Sequence, residues 1–153
     1  MVETAKEKVE LGSEAWMDLA TQILTGLVAQ AGASIADEHL TVCEVFVDPP
    51  AHLRRDGSNE IAWSFKIADG ATRVARRAAE GADFSLRADY QYVLPSARTV
   101  LGSSAEEVED RSSARREAIA ARKVVQSGSL ETASPAMRAV LLELHNRLVP
   151  WTA

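Results

Sequence analysis

The chain has 153 residues, 46% of them hydrophobic, and a formal charge of −5 from 17 lysines and arginines against 22 acidic residues. That length suits one domain over 1–153 able to bury about 70% of its unfolded surface, and the acidic balance excludes nucleic acid or an anionic membrane held by bulk charge. The lone cysteine, Cys43, excludes an intrachain disulfide and a cysteine metal cluster and fits a reducing compartment.

Residues 1–10 are charged and lack an apolar core, so no signal peptide is expected, and no stretch approaches the roughly 18 apolar residues of a membrane span. The expected location is cytoplasmic, with 1–12 a loose N-terminal extension. Over 13–31, Trp16, Leu19, Ala20, Ile23, Leu24, Leu27 and Val28 recur at spacings of three and four, which predicts a helix with a wide apolar stripe. Ser13 is placed to cap its start and Gly32 to end it at positive φ. Its polar side lacks the Lys and Arg that hold a helix to lipid headgroups, so it reads as a core helix.

Residues 40–47 (LTVCEVFV) read as a strand closed by Asp48-Pro49-Pro50, since two prolines cannot continue a ladder. Asp56-Gly57 marks a turn in the loop 51–58, which returns the chain into a second strand at 60–67. There Ile61, Trp63, Phe65 and Ile67 alternate with Ala62, Ser64 and Lys66, giving one apolar face. Asp69-Gly70 tolerates the positive φ of a tight hairpin and leads into a third strand at 72–78. After Glu80-Gly81-Ala82, Phe84, Leu86, Ala88 and Tyr90 alternate with Ser85, Arg87 and Asp89 in a fourth. Four antiparallel strands in sequence order are expected, and their apolar faces need a cover.

Tyr92, Val93, Ala97, Val100 and Leu101 suggest a short helix, with Pro95 in its first turn or kinking it and Gly102 closing it. Ser104-Ala105-Glu106-Glu107 is a capping box that opens a charged helix over 104–123, supported by pairs such as Glu107 and Arg111. Only Val108, Ile119 and scattered alanines give it an inner side, so it should be the most exposed helix. Residues 124–130 read as a fifth, edge strand interrupted by Gly128. Ser134-Pro135 is an N-cap followed by proline at the first helical position, Met137, Val140, Leu141, Leu144 and Leu148 form the stripe of the last helix, and Pro150 stops it.

The chain holds no Gly-rich phosphate loop, HExxH, paired cysteines or GxSxG, so no catalytic residue, metal ligand or cofactor is assigned. His39, His52 and His145 lie far apart, and Cys43 reads as a small buried apolar residue. Asp83 and Asp89 read as solvated or as helix caps. Trp63 and Phe65 share one strand face in a chain with only 3 Trp, 2 Tyr and 3 Phe, and the helices bring Trp16, Met137 and a row of leucines to the same layer. Those side chains either pack a solid core or line an apolar cavity of the kind small molecules occupy.

This order of elements, an N-terminal helix, EIAWSFKIADGATRV, AEGADFSLRADYQYVL leading into a helix, KVVQSGSL and a closing amphipathic helix, resembles the type-two sterol carrier family of lipid-binding domains. The matching positions are Asp69-Gly70, Ala82-Asp83, Ala88-Asp89-Tyr90 and Ser127-Gly128-Ser129-Leu130, and the likeness spans about 13–148. It implies an α+β fold: a five-stranded, mostly antiparallel sheet covered on one side by about four helices, enclosing a tunnel for sterols, fatty acids or acyl-CoA thioesters. It also implies a carrier rather than an enzyme, and a homodimer is compatible with it. In such a tunnel Trp63, Phe65, Phe84 and Leu86 would form the sheet wall, Leu141, Leu144 and Leu148 the closing helix, and Trp16 or Ile23 the first helix. The charged segment 103–123 departs from the family's usual length and could close the entrance or form a dimer contact. A CoA phosphate would need a patch such as Arg54, Arg55, Arg73, Arg76 and Arg77, which read more simply as a solvated face. Two other readings stand beside this one: an enzyme acting on a steroid-like or polyketide-like substrate with Asp83 or Asp89 as base, and a filled-core dimerisation domain.

Overall fold

The first helix, α1 (Glu14–Ala31), begins where the Ser13 hydroxyl accepts the Trp16 N–H, and it ends at Gly32, whose φ of 48° breaks the helical path. The computed structural model describes residues 7–55 and 57–153, so positions 1–6 and Asp56 of the Asp56-Gly57 turn lie outside the described residues. Beyond α1 come β1 (His39–Val47), β2 (Glu60–Ala68), β3 (Ala71–Ala75), β4 (Phe84–Asp89), α2 (Tyr90–Ala97), α3 (Ala105–Ala120), β5 (Val124–Gly128) and α4 (Pro135–Leu148). The described residues form an α+β fold, a five-stranded mixed sheet with four helices.

Antiparallel pairing sets Leu40 opposite Ile67, Val42 opposite Phe65, Glu44 opposite Trp63 and Phe46 opposite Ile61, which puts both apolar rows on one face. Asp69 and Gly70, at φ 53° and 71°, form the two-residue turn that fixes the next register, Ala68 opposite Ala71. The strand order is β3-β2-β1-β4-β5, which corrects the expectation of four antiparallel strands in sequence. The fourth strand pairs parallel with β1, with Val42 beside Phe84, Glu44 beside Leu86 and Phe46 beside Ala88. Docking there buries Leu86 and Ala88, whereas the third strand is a short edge with Ala71 and Arg73 exposed and offers no comparable cover. The connection crosses the back of the sheet, where the Ala79 N–H meets the Cys43 Sγ at 3.4 Å and the Asp83 N–H meets the Thr41 carbonyl at 2.9 Å.

The first and last helices pack against each other above the apolar face. Within α1 the buried arc is Trp16, Met17, Ala20, Leu24, Leu27 and Val28, with Leu19 and Ile23 only half-buried on one flank. The stripe is therefore turned toward Met17 relative to the sequence reading. The expected loose extension does not hold over Val9 to Gly12. Val9 exchanges backbone hydrogen bonds with Trp151 and Ala153, Leu11 is buried, and the Leu11 carbonyl accepts the Tyr90 hydroxyl at 2.8 Å.

Four local expectations are also corrected. Asp89 caps α2 by accepting the Gln91 and Tyr92 N–H groups, so Pro95 falls in the second turn, and the helix ends at Ala97 rather than at Gly102. Proline is tolerated because the backbone acceptor it leaves free, four residues earlier at Gln91, belongs to an exposed residue. In α3 the Ser104 hydroxyl accepts the Glu107 N–H as expected, but Arg111 donates to the Gly102 carbonyl instead of pairing with Glu107. Val108 and Ile119 remain exposed, leaving Ala118 as the one buried residue of that helix.

Candidate functional site

The space between the apolar sheet face and the helices is not completely filled. A cavity of about 360 Å³ lies there. Its sheet wall includes Trp63 and Phe65 of β2, Phe84 and Leu86 of β4, and Val42, Glu44 and Phe46 of β1. Leu141, Leu144 and Leu148 close it from α4, and Trp16 reaches it from the first turn of α1. Eight of the nine residues singled out from the sequence thus meet around one space. Ile23 does not line it: it lies two helical turns along α1 from Trp16 and is only half-buried.

Aromatic contacts hold the wall in place. Trp16 and Trp63 meet edge to face at 5.2 Å between ring centroids, and Trp63 leans on Phe65 at 5.1 Å. The Trp16 indole N–H donates to the Thr152 hydroxyl at 3.2 Å, which fixes that ring to the C-terminal segment. The Trp63 Nε1, by contrast, is buried with no hydrogen-bond partner.

Beside it lies a carboxyl group in an apolar row. Glu44 is enclosed by protein, and the surface it retains faces the cavity. Burial raises its pKa from 4.5 to about 7, against the opposing pull of the Trp63 N–H and the more distant Arg115. The indole N–H is therefore near enough to favour the carboxylate while remaining outside hydrogen-bond geometry. Sequence reasoning missed Glu44. The signal was present in LTVCEVFV, where Leu40, Val42, Glu44 and Phe46 occupy alternate positions and one of the four is acidic.

The other charged groups near the cavity are engaged. Arg111 Nη1 donates to the Gly102 carbonyl, Arg115 Nη1 to Gln126 Oε1 at 3.3 Å, and His145 Nε2 to the Thr99 carbonyl at 2.9 Å. Asp83 and Asp89 do not line the cavity. Asp83 accepts the Thr41 N–H at 2.7 Å, and Asp89 is the cap of α2. His39 and His52 pair at the surface with Asp69 and Glu10, and Arg55 and Arg76 are held by Glu14 and Asp18 of α1. Among the described residues no group of three or more His, Cys, Asp or Glu could hold a metal ion, and no helix is long and apolar enough to cross a membrane.

No protein-family model matches the sequence, and no curated protein matches it. Solved structures do match. Sterol carrier protein 2 aligns with a TM-score of 0.52 at 16% identity, covering 94% of this chain and 100% of its own. The fold is that of sterol carrier protein 2. TT1886 from Thermus thermophilus, a conserved hypothetical protein described as possibly a sterol carrier protein, shares the sterol carrier fold at a TM-score of 0.55 and 16% identity, with 99% of this chain and 96% of that one covered. At that identity the likeness concerns architecture, helices laid on one face of a five-stranded sheet.

Proposed function

We propose that this protein binds and carries an apolar small molecule, a lipid, sterol or acyl thioester, in the cavity between sheet and helices, without catalysing a reaction on it. The observation that carries this reading is the cavity itself: about 360 Å³, within the roughly 300–1,000 Å³ range of small-molecule sites, and walled mainly by aromatic and aliphatic side chains. Each 100 Å² of apolar ligand surface withdrawn from water there contributes about 2.5 kcal/mol. The sterol carrier fold supports the same reading. An enzyme using Asp83 or Asp89 as base is disfavoured because both carboxylates cap backbone N–H groups away from the cavity, and a filled-core domain is disfavoured by the unfilled space.

Native mass spectrometry of the protein as purified, followed by organic extraction, tests the proposal without a guess about the ligand. A stoichiometric adduct that releases a lipid, sterol or thioester is the expected result. Protein that is empty and takes up neither a fluorescent fatty acid nor a fluorescent sterol would overturn it.

A further inference from the structure

We infer that the cavity contains a built polar subsite, formed by the Trp63 indole N–H and the Glu44 carboxyl, that receives a single hydroxyl group on an otherwise apolar ligand. The inference rests on the carrier reading above and names the ligand chemistry that reading leaves open.

Trp63 is 1% exposed, yet its N–H has no acceptor. A buried donor left unpaired is costly, and native proteins satisfy nearly all such groups. The Trp16 ring packed against it has its own acceptor in Thr152, so the wall does not generally tolerate orphan donors. Glu44 sits directly opposite Trp63 in the β1–β2 register, on the same face, with its carboxyl near enough for the indole N–H to favour the carboxylate, although the two do not meet in ordinary hydrogen-bond geometry. The indole donor therefore lacks a well-aligned acceptor, and the carboxyl beside it, which accepts at two oxygens, has capacity for a further donor from the same apolar space. A missing partner supplied by the ligand accounts for both.

The chemistry of the pair selects the partner. A hydroxyl oxygen accepts the indole N–H while its proton is donated to Glu44, so one group answers both. An ester, ether or ketone oxygen accepts the N–H but offers nothing to a carboxylate. A fatty acid brings a second negative charge beside Glu44, which becomes charged as the pH rises past about 7. The cations that could offset that repulsion are Arg111 and Arg115 of α3. Both keep their charge but direct a guanidinium N–H to a neutral acceptor, the Gly102 carbonyl and the Gln126 amide, and neither forms an ion pair with Glu44, while His145 of α4 donates to the Thr99 carbonyl and Tyr92 and Ser96 of α2 bring only hydroxyl groups to this side. The subsite therefore favours an alcohol over the acid of the same chain length.

Isothermal titration of the delipidated full chain at pH 8 with 1-dodecanol, dodecyl methyl ether and dodecanoate, each below its aggregation limit, tests this. The alcohol is expected to bind about 10-fold more tightly than the acid and about 5-fold more tightly than the ether, the scale of one charge-assisted hydrogen bond. Glu44→Gln should bring the alcohol-to-acid ratio below about 3-fold by removing the charge. Trp63→Phe should weaken alcohol and ether alike by about 3- to 10-fold, since both use the N–H. Equal binding of all three probes by the wild type, or an alcohol preference unchanged in Glu44→Gln, overturns the subsite while leaving the carrier reading intact. Failure of all three to bind overturns both.

Discussion

Replacing Glu44 by Gln should remove one specific pH dependence from the stability of the ligand-free protein. In the fold the Glu44 carboxyl titrates near pH 7, while in the unfolded chain it titrates near its ordinary value of 4.5. Well below 4.5 both states hold the proton and the group is neutral with respect to stability. Between 4.5 and 7 the unfolded chain has released its proton while the fold retains it, so stability falls as pH rises, and above about 7 the full loss is present. A rise from 4.5 to about 7 at about 1.4 kcal/mol per pH unit corresponds to roughly 3 kcal/mol. The glutamine side chain has nearly the same size and does not titrate, so the comparison isolates the charge. Urea denaturation of both proteins at about pH 4.5 and pH 8 should show the wild type losing about 3 kcal/mol more than Glu44→Gln over that interval, a midpoint difference of several degrees in a thermal scan. Other titrating groups are common to both proteins and cancel. Parallel stability curves would show that Glu44 is effectively solvated, and would refute the enclosed placement on which the polar subsite depends.

Leu144→Asp puts a charge into the cavity wall from a residue only 5% exposed and should abolish ligand retention in native mass spectrometry. If near-UV circular dichroism shows a folded variant that still carries lipid, the cavity is not the binding site. Gly128→Ala should loosen the edge strand, because Gly128 has φ +75° and an added Cβ would lie 2.0 Å from the Asp83 carbonyl oxygen. The expected cost is about 2–3 kcal/mol by denaturation, with faster hydrogen exchange along Val124–Gly128; an unchanged midpoint would contradict the register of that strand. Asp89→Ala should lower stability by about 1 kcal/mol through loss of the cap of the second helix, with Asp89→Asn recovering most of it.

Local features are legible wherever local chemistry decides them. Ser13, Ser104 and Ser134 read as caps from their sequence contexts, and each accepts the expected backbone N–H three residues on. Asp69-Gly70 specifies its turn because positive φ at two consecutive positions is restrictive, and strict alternation along 60–67 places Trp63 and Phe65 on the face that lines the cavity. Ile23 is misplaced for a geometric reason: a stripe of apolar residues broader than the surface it covers does not reveal which edge is buried. The apolar periodicity includes Leu19 and Ile23, and the fold buries Met17 instead. The arginines of the charged helix read as solvated for lack of an apolar periodicity, yet Arg111 and Arg115 lie along the cavity wall and send their guanidinium groups to nearby acceptors. Such long side chains cover space that a pattern of small and large apolar residues does not predict.

The missed acid and the misordered sheet have one cause. In a serial antiparallel order β1 would be an edge strand, and an acidic residue on its inner row could reach water around the margin. The chain instead crosses the back of the sheet after β3 and lays β4 parallel to β1, which makes β1 the central strand and sets Leu86 on one side of Glu44 and Trp63 on the other. That single non-local pairing turns a marginal carboxyl into an enclosed one. No local signal encodes it, because what stabilises it is burial of Phe84, Leu86 and Ala88 against the row of Val42 and Phe46, a pairing between segments far apart in sequence. The same burial that raises the pKa of Glu44 also makes the carboxyl costly to the empty fold, since an aliphatic residue at that position would complete the apolar row without the desolvation penalty. A folded Glu44→Leu variant that is more stable than the wild type when empty, yet loses its preference for alcohols, would separate those two consequences of the same placement.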